Sequence, residues 1–395
     1  MSASALEDCI LSFRDRFLGG TLPIIIEHGW DHIRGGVVER LDAETRDIGL
    51  PYRRFMVHAR QLYLFSQWAE KLEDRTMAER ADRIFAYIIH KFWDDTNGGW
   101  FEKVDLDGER LDTEKNLYSH AFGLFGLGSY RRFLHRTTAD FWLERTFEIL
   151  VDRFSRSDGS FADRMSREFQ DLVPGRRSQN PHMHLLEAAL FLSEMSDNYS
   201  SLALDVLSLF ETRFLVVREG VVLEHLDDNF RPHLEDGHRI EPGHHFEWAW
   251  LLDWAARKIG NRQHHLIGRS VLETGLKLGW DPEHGGIFDE LRRSDGQVIL
   301  STKRIWPITE LIKALTVHDI QGPVNLERTI WLLNENYLSG DGRWIERLDT
   351  DWTPADRTMP ASTPYHLSMA LTQVLNYLDK IRGEGNSGDG YKVSR

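Results

Sequence analysis

Six times along the chain a glycine turn leads into two apolar residues and an acid. Three copies are nearly complete: "WDHIRGGVVERLD" (30–42), "WDDTNGGWFEKVD" (93–105) and "WDPEHGGIFDELR" (280–292). Three degenerate copies fill the gaps: "RSDGSFADRMS" (156–166), "REGVVLEHLDD" (218–228) and "GDGRWIERLDT" (340–350). Anchored on Gly36, Gly99, Gly159, Gly220, Gly286 and Gly342, they recur at steps of 63, 60, 61, 66 and 56 residues. A period this regular means one supersecondary unit repeated, and it limits the fold to stacked or ring-closed arrays.

Glycine followed by short alternating residues predicts a tight turn with a small strand pair. Behind each turn comes a helix-period segment that is apolar almost all round, such as "PHMHLLEAALFLSEM". An amphipathic one follows, such as "TMAERADRIFAYIIHKF". A helix apolar on every side must be buried, and one with a single stripe is half exposed. Six inner–outer helix pairs predict an all-α fold, an (α/α)6 barrel with short β-hairpins at one end. An open superhelix is the alternative, since solenoids stack helix pairs too. The absence of polar end caps favours closure. The barrel is expected to occupy 1–381 as one catalytic domain. The Gly/Ser-rich 382–395 is expected to be a flexible tail.

Charge narrows the partners. Lys+Arg is 48 and Asp+Glu 62, a net −14 without a basic block. Such a chain is a poor binder of nucleic acid or anionic membrane. The one cysteine, Cys9, permits no internal disulfide, and no apolar run is long enough to span a bilayer. "MSASALEDCILSFRDRF" lacks the pattern of a secretory signal. The expectation is a cytoplasmic protein, monomer or homodimer, with no nucleic-acid or membrane partner. "NYS" at 198–200 matches a glycosylation acceptor by chance in that compartment.

The repeat also places chemistry. Twenty-four or twenty-five residues beyond the anchor glycines stand Arg60, His184, His244, Glu310 and His366. In the second unit Gly123 holds that place, with His120 and Tyr118 shortly before it. Ionisable residues in otherwise apolar inner helices are costly unless paired or used. In a closed barrel, equivalent positions share one rim. His58, His264 and His265 show no register, and His225, His233 and His238 are assigned no role.

Local signals put the three histidines at helix starts: Asn180-Pro181 as N-cap and first residue, Thr363-Pro364, and Pro242-Gly243. The macrodipole there disfavours positive charge, so neutral, proton-accepting rings are expected. His184/Glu187 and His244/Glu247 are i,i+3 pairs, which places each glutamate on its histidine's face. "HMH" at 182–184 has the look of a metal clamp. On a helix, however, residues two apart point about 200° apart. The i,i+4 zinc spacing is missing. No metal is assigned. A set drawn from His184, His244 and His366 on separate helices is the arrangement that would hold one.

Six stretches carry a family resemblance: "ARQLYLFS" (59–66), "NLYSHAFGL" (116–124), "QNPHMHLLEA" (179–188), "EPGHHFEWAWLL" (241–252), "KRIWPITELIKAL" (303–315) and "TPYHLSMAL" (363–371). In this order the chain resembles the N-acylglucosamine 2-epimerase superfamily. The resemblance implies an (α/α)6 barrel with a pocket at one end, a monosaccharide substrate and no cofactor or metal. It implies His244 and His366 as the acid/base pair and His184 as a third histidine assisting them. Arg60 and Tyr118 match residues that hold sugar oxygens, and Asn180, Glu247 and Trp306 match substrate contacts. Glu310, from the register, is grouped with the substrate-binding side chains. His182 has no fixed role in the family.

Moving a proton beside a sugar carbonyl needs a base and a stabiliser of the enediolate oxygens. Neutral histidines fit the first role and Arg60 the second. The chemistry permits isomerisation or epimerisation; because "NPHMHLLEA" and "PGHHFEW" resemble the bacterial mannose isomerases of the superfamily, the favoured reading is a metal-independent aldose–ketose isomerase converting D-mannose to D-fructose. Epimerisation at C2 of a free hexose or N-acylhexosamine is the first alternative. Isomerisation of mannose 6-phosphate is another, with Arg53, Arg54, Lys303 and Arg304 as candidate phosphate cations. A glycoside hydrolase would need two opposed carboxylates, with Glu247 and Glu310 the available pair. A non-catalytic sugar-binding protein is the remaining class.

Overall fold

The computed structural model describes residues 3–320 and 322–383. Of the expected tail at 382–395, all but the first two residues lie outside the described residues. Inner and outer helices alternate: α1 (Ala3–Arg16) and α2 (Leu22–His28) outside, α3 (Phe55–Leu72) inside, α4 (Arg75–Phe92) outside, α5 (Leu117–Phe133) inside and α6 (Asp140–Ile149) outside. Then follow α7 (Gln179–Leu192) inside, α8 (Asp197–Leu209) outside, α9 (Pro242–Ile259) inside, α10 (Arg262–Gly279) outside, α11 (Ile305–Leu315) inside, α12 (Leu326–Leu332) outside and α13 (Thr363–Ile381) inside.

Burial follows the predicted patterning. Thirteen of the fourteen residues of α7 are buried, against six of the eighteen in α4. Between the helix layers lie wholly buried Trp68, Trp100, Trp248, Trp250 and Trp344. Each removes about 150–250 Å² from water, a gross gain of roughly 4–6 kcal/mol before entropy is charged against it. No helix among the described residues is long and apolar enough to cross a membrane.

The array is closed. Each inner helix packs on the next, and α13 returns to α3. At one end, short antiparallel strand pairs link successive repeats: Arg53 with Val104, Lys115 with Met165, His225 with Ser178, Ile240 with Leu291 and Lys303 with Leu348. The last repeat then pairs with the first, Arg40 with Pro360. The sixth helix pair differs from the simple repeat, because it is assembled from both ends of the chain. Its inner helix is α13 and its outer helix is α1. Thr21 fastens the join by donating to the Gly342 carbonyl at 2.7 Å.

The glycine turns do what the repeat requires. Gly99 has φ +78°, and a Cβ there would sit 2.9 Å from the His120 ring nitrogen. A left-handed backbone and a close approach coincide, so only glycine fits without strain.

Candidate functional site

The inner helices begin against the neighbouring repeat's hairpin, and this defines the rim. The amides of Phe55, Leu117, Gln179, Ile305 and Ala361 donate to the main-chain carbonyls of Glu102, Asp163, Glu224, Glu346 and Glu39 at 3.0–3.1 Å. Pro242, with no amide, heads the remaining helix. This main-chain clasp satisfies donors that helix N-termini otherwise leave open. It also corrects the expected start of α7. The helix begins at Gln179, without a side-chain N-cap, and not at Pro181.

Five residues beyond these clasped positions stand Arg60, Phe122, His184, Glu247, Glu310 and His366. His244 is not in this ring; it lies three residues earlier, and Glu247 holds the ring position. Counting from glycine misplaced it because 22 residues separate Gly220 from Pro242, against 18 to 20 in the other repeats.

Three residues beyond the clasp is a second register that sequence reasoning missed. It holds His58, His120, His182 and His245, all buried. Each Nδ1 faces the carbonyl four residues back, at 2.9, 2.8, 2.7 and 3.4 Å respectively. Each Nε2 accepts the amide just beyond its own repeat's glycine turn: Val37 at 2.9 Å, Trp100 at 3.1 Å, Phe161 at 3.0 Å and Val222 at 3.0 Å. Burial drives these rings to pKa values of about 3, 3, 4 and 4. They are neutral pins between hairpin and helix. His58 therefore does have a register, and His182 is a pin facing away from the rim.

Arg60, Tyr118, Asn180, His184, His244, Glu247, Trp306 and His366 line one cavity of about 210 Å³, together with Glu241, Arg304, Glu346, Ser362 and Thr363. Arg60 donates to the Tyr118 hydroxyl at 2.7 Å, and its guanidinium lies over Phe122 and Tyr365. The buried Asn180 Oδ1 and Arg60 Nε have no hydrogen-bond partner among the described residues. Trp306 packs against two of these histidines, with ring centroids 5.1 Å from His244 and 6.1 Å from His366.

Each site histidine commits its Nδ1 to a buried carboxylate, which leaves Nε2 as the free nitrogen. His184 pairs with Glu187 at 3.1 Å, and Glu187 also accepts the Tyr365 hydroxyl at 2.6 Å. His244 pairs with Glu224 at 2.9 Å, and His366 with Glu310 at 2.9 Å. Glu310 in turn meets the buried Lys313 ammonium at 2.5 Å. Glu310 is thus behind His366 and does not line the cavity. Glu247 lies 3.7 Å from His184, so the expected His244/Glu247 pair is replaced by His184/Glu247 and His244/Glu224.

The surroundings split the histidines. Burial, with the charges of Arg60 and Lys313, holds His366 well below its ordinary value. Burial also lowers His184, against the pull of Glu187. For His244 burial acts downward too, but Glu224 and Glu241 outweigh it and raise the ring to about 9. The expectation of three neutral rings therefore fails at His244: a buried carboxylate overrides the helix dipole. Burial, with the charges of Glu310 and Glu187, pushes the Glu247 carboxyl well above the ordinary carboxylate range.

The phosphate candidates are committed elsewhere. Arg53 bonds Asp31, Arg54 bonds Glu39, and Lys303 bonds Asp281. Arg304 alone of the four reaches the cavity, tied to Asp289 and Glu241. His184, His244 and His366 do not converge as one ligand set. Among the described residues, donor atoms gather as His184/Glu187/Glu247 and as Glu224/Glu241/His244. In both groups the imidazole already hydrogen-bonds a carboxylate. His225 contacts Ser178 Oγ in an adjoining recess, while His264 and His265 pair with Glu211 and Asp253.

Of the carboxylates behind the rings, the one that sequence reasoning passed over is Glu224. The signal was present: the acid closing each glycine motif gives Glu39, Glu102, Asp163, Glu224, Asp289 and Glu346.

Residues 25–370 match the family model for N-acylglucosamine 2-epimerase. A mannose-6-phosphate isomerase of Rhizobium meliloti is 29% identical over 91% of this chain and 95% of its own length. The crystal structure of a D-mannose isomerase superposes with a TM-score of 0.80 at 21% identity, covering 95% of this chain and 98% of that one. The cellobiose 2-epimerase of Spirochaeta thermophila gives 0.86 at 20% identity, covering 96% and 99%. With the family model spanning most of the barrel, the chain belongs to the N-acylglucosamine 2-epimerase family and is an enzyme of the sugar isomerase and epimerase kind.

Proposed function

We propose that the chain interconverts a free aldohexose and its ketose, D-mannose and D-fructose, by proton transfer through a cis-enediolate without a metal. The observation that carries this is two imidazoles packed against one indole in unlike surroundings: His244 bonded to the buried Glu224, which favours its cation, and His366 under the charges of Arg60 and Lys313, which favour its neutral form. At neutral pH one is a ready base and the other a ready acid.

The steps follow from the free Nε2 atoms. With the sugar open, His366 takes the proton from C2. The C2–H electron pair forms the C1=C2 bond, and the carbonyl pair moves onto O1. His244 gives O1 a proton, and Arg60 with Tyr118 steadies the developing negative charge. His244, now neutral, takes the proton from O2 as the C2 carbonyl forms. His366 returns its proton to C1. O1 and C1 each gain a hydrogen that O2 and C2 lose, and both histidines return to their starting states. His184, with Glu247 beside it at 3.7 Å, assists ring opening.

The free sugar is favoured over its phosphate. Of the four candidate phosphate cations only Arg304 lines the cavity, and Asp289 and Glu241 already hold it. A hydrolase is disfavoured because Glu310 is bound to His366 and Lys313 and does not line the cavity.

The test is incubation with mannose in D2O containing EDTA, followed by NMR. Fructose carrying deuterium supports the reading. Glucose as sole product assigns 2-epimerisation, with His244 returning the proton to the opposite face. Turnover of mannose 6-phosphate alone assigns the phosphorylated substrate, and inactivation by EDTA restores a metal. His366→Ala and His244→Ala should each lose most turnover while staying folded.

A further inference from the structure

We propose that Glu224 is the positioning residue that makes His244 the acid of the site, and that it does so through a hairpin-to-helix contact that repeats two and six make with a hydroxyl. This rests on the acid role given to His244 above.

The argument begins with the six acids. In repeats one, three, four and five the acid's side chain accepts the amide just before the clasped helix start: Arg54 on Glu39 at 2.6 Å, Ser178 on Asp163 at 3.4 Å, Glu241 on Glu224 at 3.2 Å and Arg304 on Asp289 at 2.9 Å. In the even repeats the acid also reaches the residue two beyond that start. Ser119 donates to Glu102 at 2.5 Å, and Thr363 donates to Glu346 at 2.5 Å. In repeat four the same place is held by His244, bonded to Glu224 at 2.9 Å. The contact is one motif, hydroxyl to acid in repeats two and six, imidazole to acid in repeat four.

That exchange has a chemical consequence the hydroxyl versions lack. A serine or threonine bonded to a carboxylate carries no proton it can lose near neutrality, whereas an imidazole does. Glu224 is wholly buried, and its remaining contacts leave it an anion. Gln179 donates to the same oxygen at 2.8 Å, and the Gln179 amide group is itself fixed by Trp248 Nε1 at 2.6 Å. A buried carboxylate held by two side-chain donors gains little by protonation and stabilises a cation beside it. The groups facing His244 come from every packed element: Glu224 and His225 from the hairpin, Glu241 at the helix start, Glu247 on its own helix, His184 on α7 and the uncharged Trp306 on α11. Glu224 is the sole carboxylate within 4 Å of His244 among the described residues.

The experiment uses the full chain with Glu224→Gln, Glu102→Gln as control, and NMR titration of the His244 imidazole. In the unaltered protein the ring should be cationic at pH 7, and kcat/KM should fall only above about pH 9. In E224Q the ring should titrate at or below about 6.5, so kcat/KM at pH 7.5 should drop roughly tenfold. Much of that loss should recover near pH 6, with KM little changed. E102Q should keep the original pH profile. An E224Q profile with its high-pH limb unmoved overturns the proposal, as does an equal shift in E102Q. If E224Q does not fold, the unaltered protein still decides: a neutral His244 at pH 7 overturns it. Should H244A retain turnover while E224Q lowers the His244 titration, the acid role fails and the Glu224 pairing stands.

Discussion

The sharpest test separates two histidines on one helix, two residues apart. His182→Ala removes a ring whose two nitrogens both serve main-chain groups, Phe161 N at 3.0 Å and Ser178 O at 2.7 Å. An unsatisfied buried polar group costs about 1–3 kcal/mol, so two of them cost roughly 2–6 kcal/mol. The void left beside Phe161 and Phe214 adds to this. His184→Ala takes the imidazole from Glu187 and Glu247 but strands no main-chain group, and the Tyr365 hydroxyl still serves Glu187. Its stability loss should be the smaller of the two. Urea unfolding followed by tryptophan fluorescence gives the first quantity, and turnover per folded molecule at low temperature gives the second. H182A should lose stability and keep most of its turnover; H184A should do the reverse. An H182A protein of normal stability but poor turnover would refute the division into pins and site histidines.

Acid should unfold the protein steeply. His58, His120, His182 and His245 titrate at about 3 to 4 when folded, against an ordinary 6.5, so the unfolded chain binds their protons first. Their contribution is complete above pH 6.5 and is lost as pH falls toward 4, at about 1.4 kcal/mol per pH unit per ring. Circular dichroism against pH should show it, and a flat stability between pH 6.5 and 4.5 would contradict it. His244 runs the other way: its raised value gives stability that is present below pH 6.5 and fades as pH rises through about 9. Lys313→Met strips the cation from Glu310 and leaves buried carboxylates uncompensated. A loss of about 3–5 kcal/mol is expected. His366 should then hold its proton to higher pH, so the low-pH limb of kcat/KM should move upward. An unmoved limb would remove Lys313 from the control of His366.

Much of the fold was legible because ring closure leaves marks in one dimension. The repeated glycine turn gave the number of units, and apolar periodicity told inner helices from outer. What period alone could not show was how the ring shuts. That depends on Thr21 meeting Gly342 and on Arg40 pairing with Pro360, contacts between residues more than three hundred positions apart. Such a join is set by packing, which places α1 beside α13 as the sixth outer helix.

The site was legible in its members more than in its couplings. Arg60, His184 and His366 share a ring position that counting from glycine nearly recovers, since most loops between turn and helix differ by a residue or two. Repeat four has the longer loop, and there the count returned His244 in place of Glu247. The same displacement hid the partner. A histidine believed to share the rim is naturally matched to the glutamate three residues on, and the helix dipole then argues for a neutral ring. Once His244 is placed beside Ser119 and Thr363, its partner must be the hairpin acid, and its charge reverses. The dipole effect is worth about 0.3–1 kcal/mol at most helix ends. A buried carboxylate at 2.9 Å is a stronger influence, and the repeat's own acid supplies it. The repeat therefore carries more than architecture. It delivers a carboxylate to the same place six times, and the one repeat that meets it with an imidazole is the one from which the proposed acid arises.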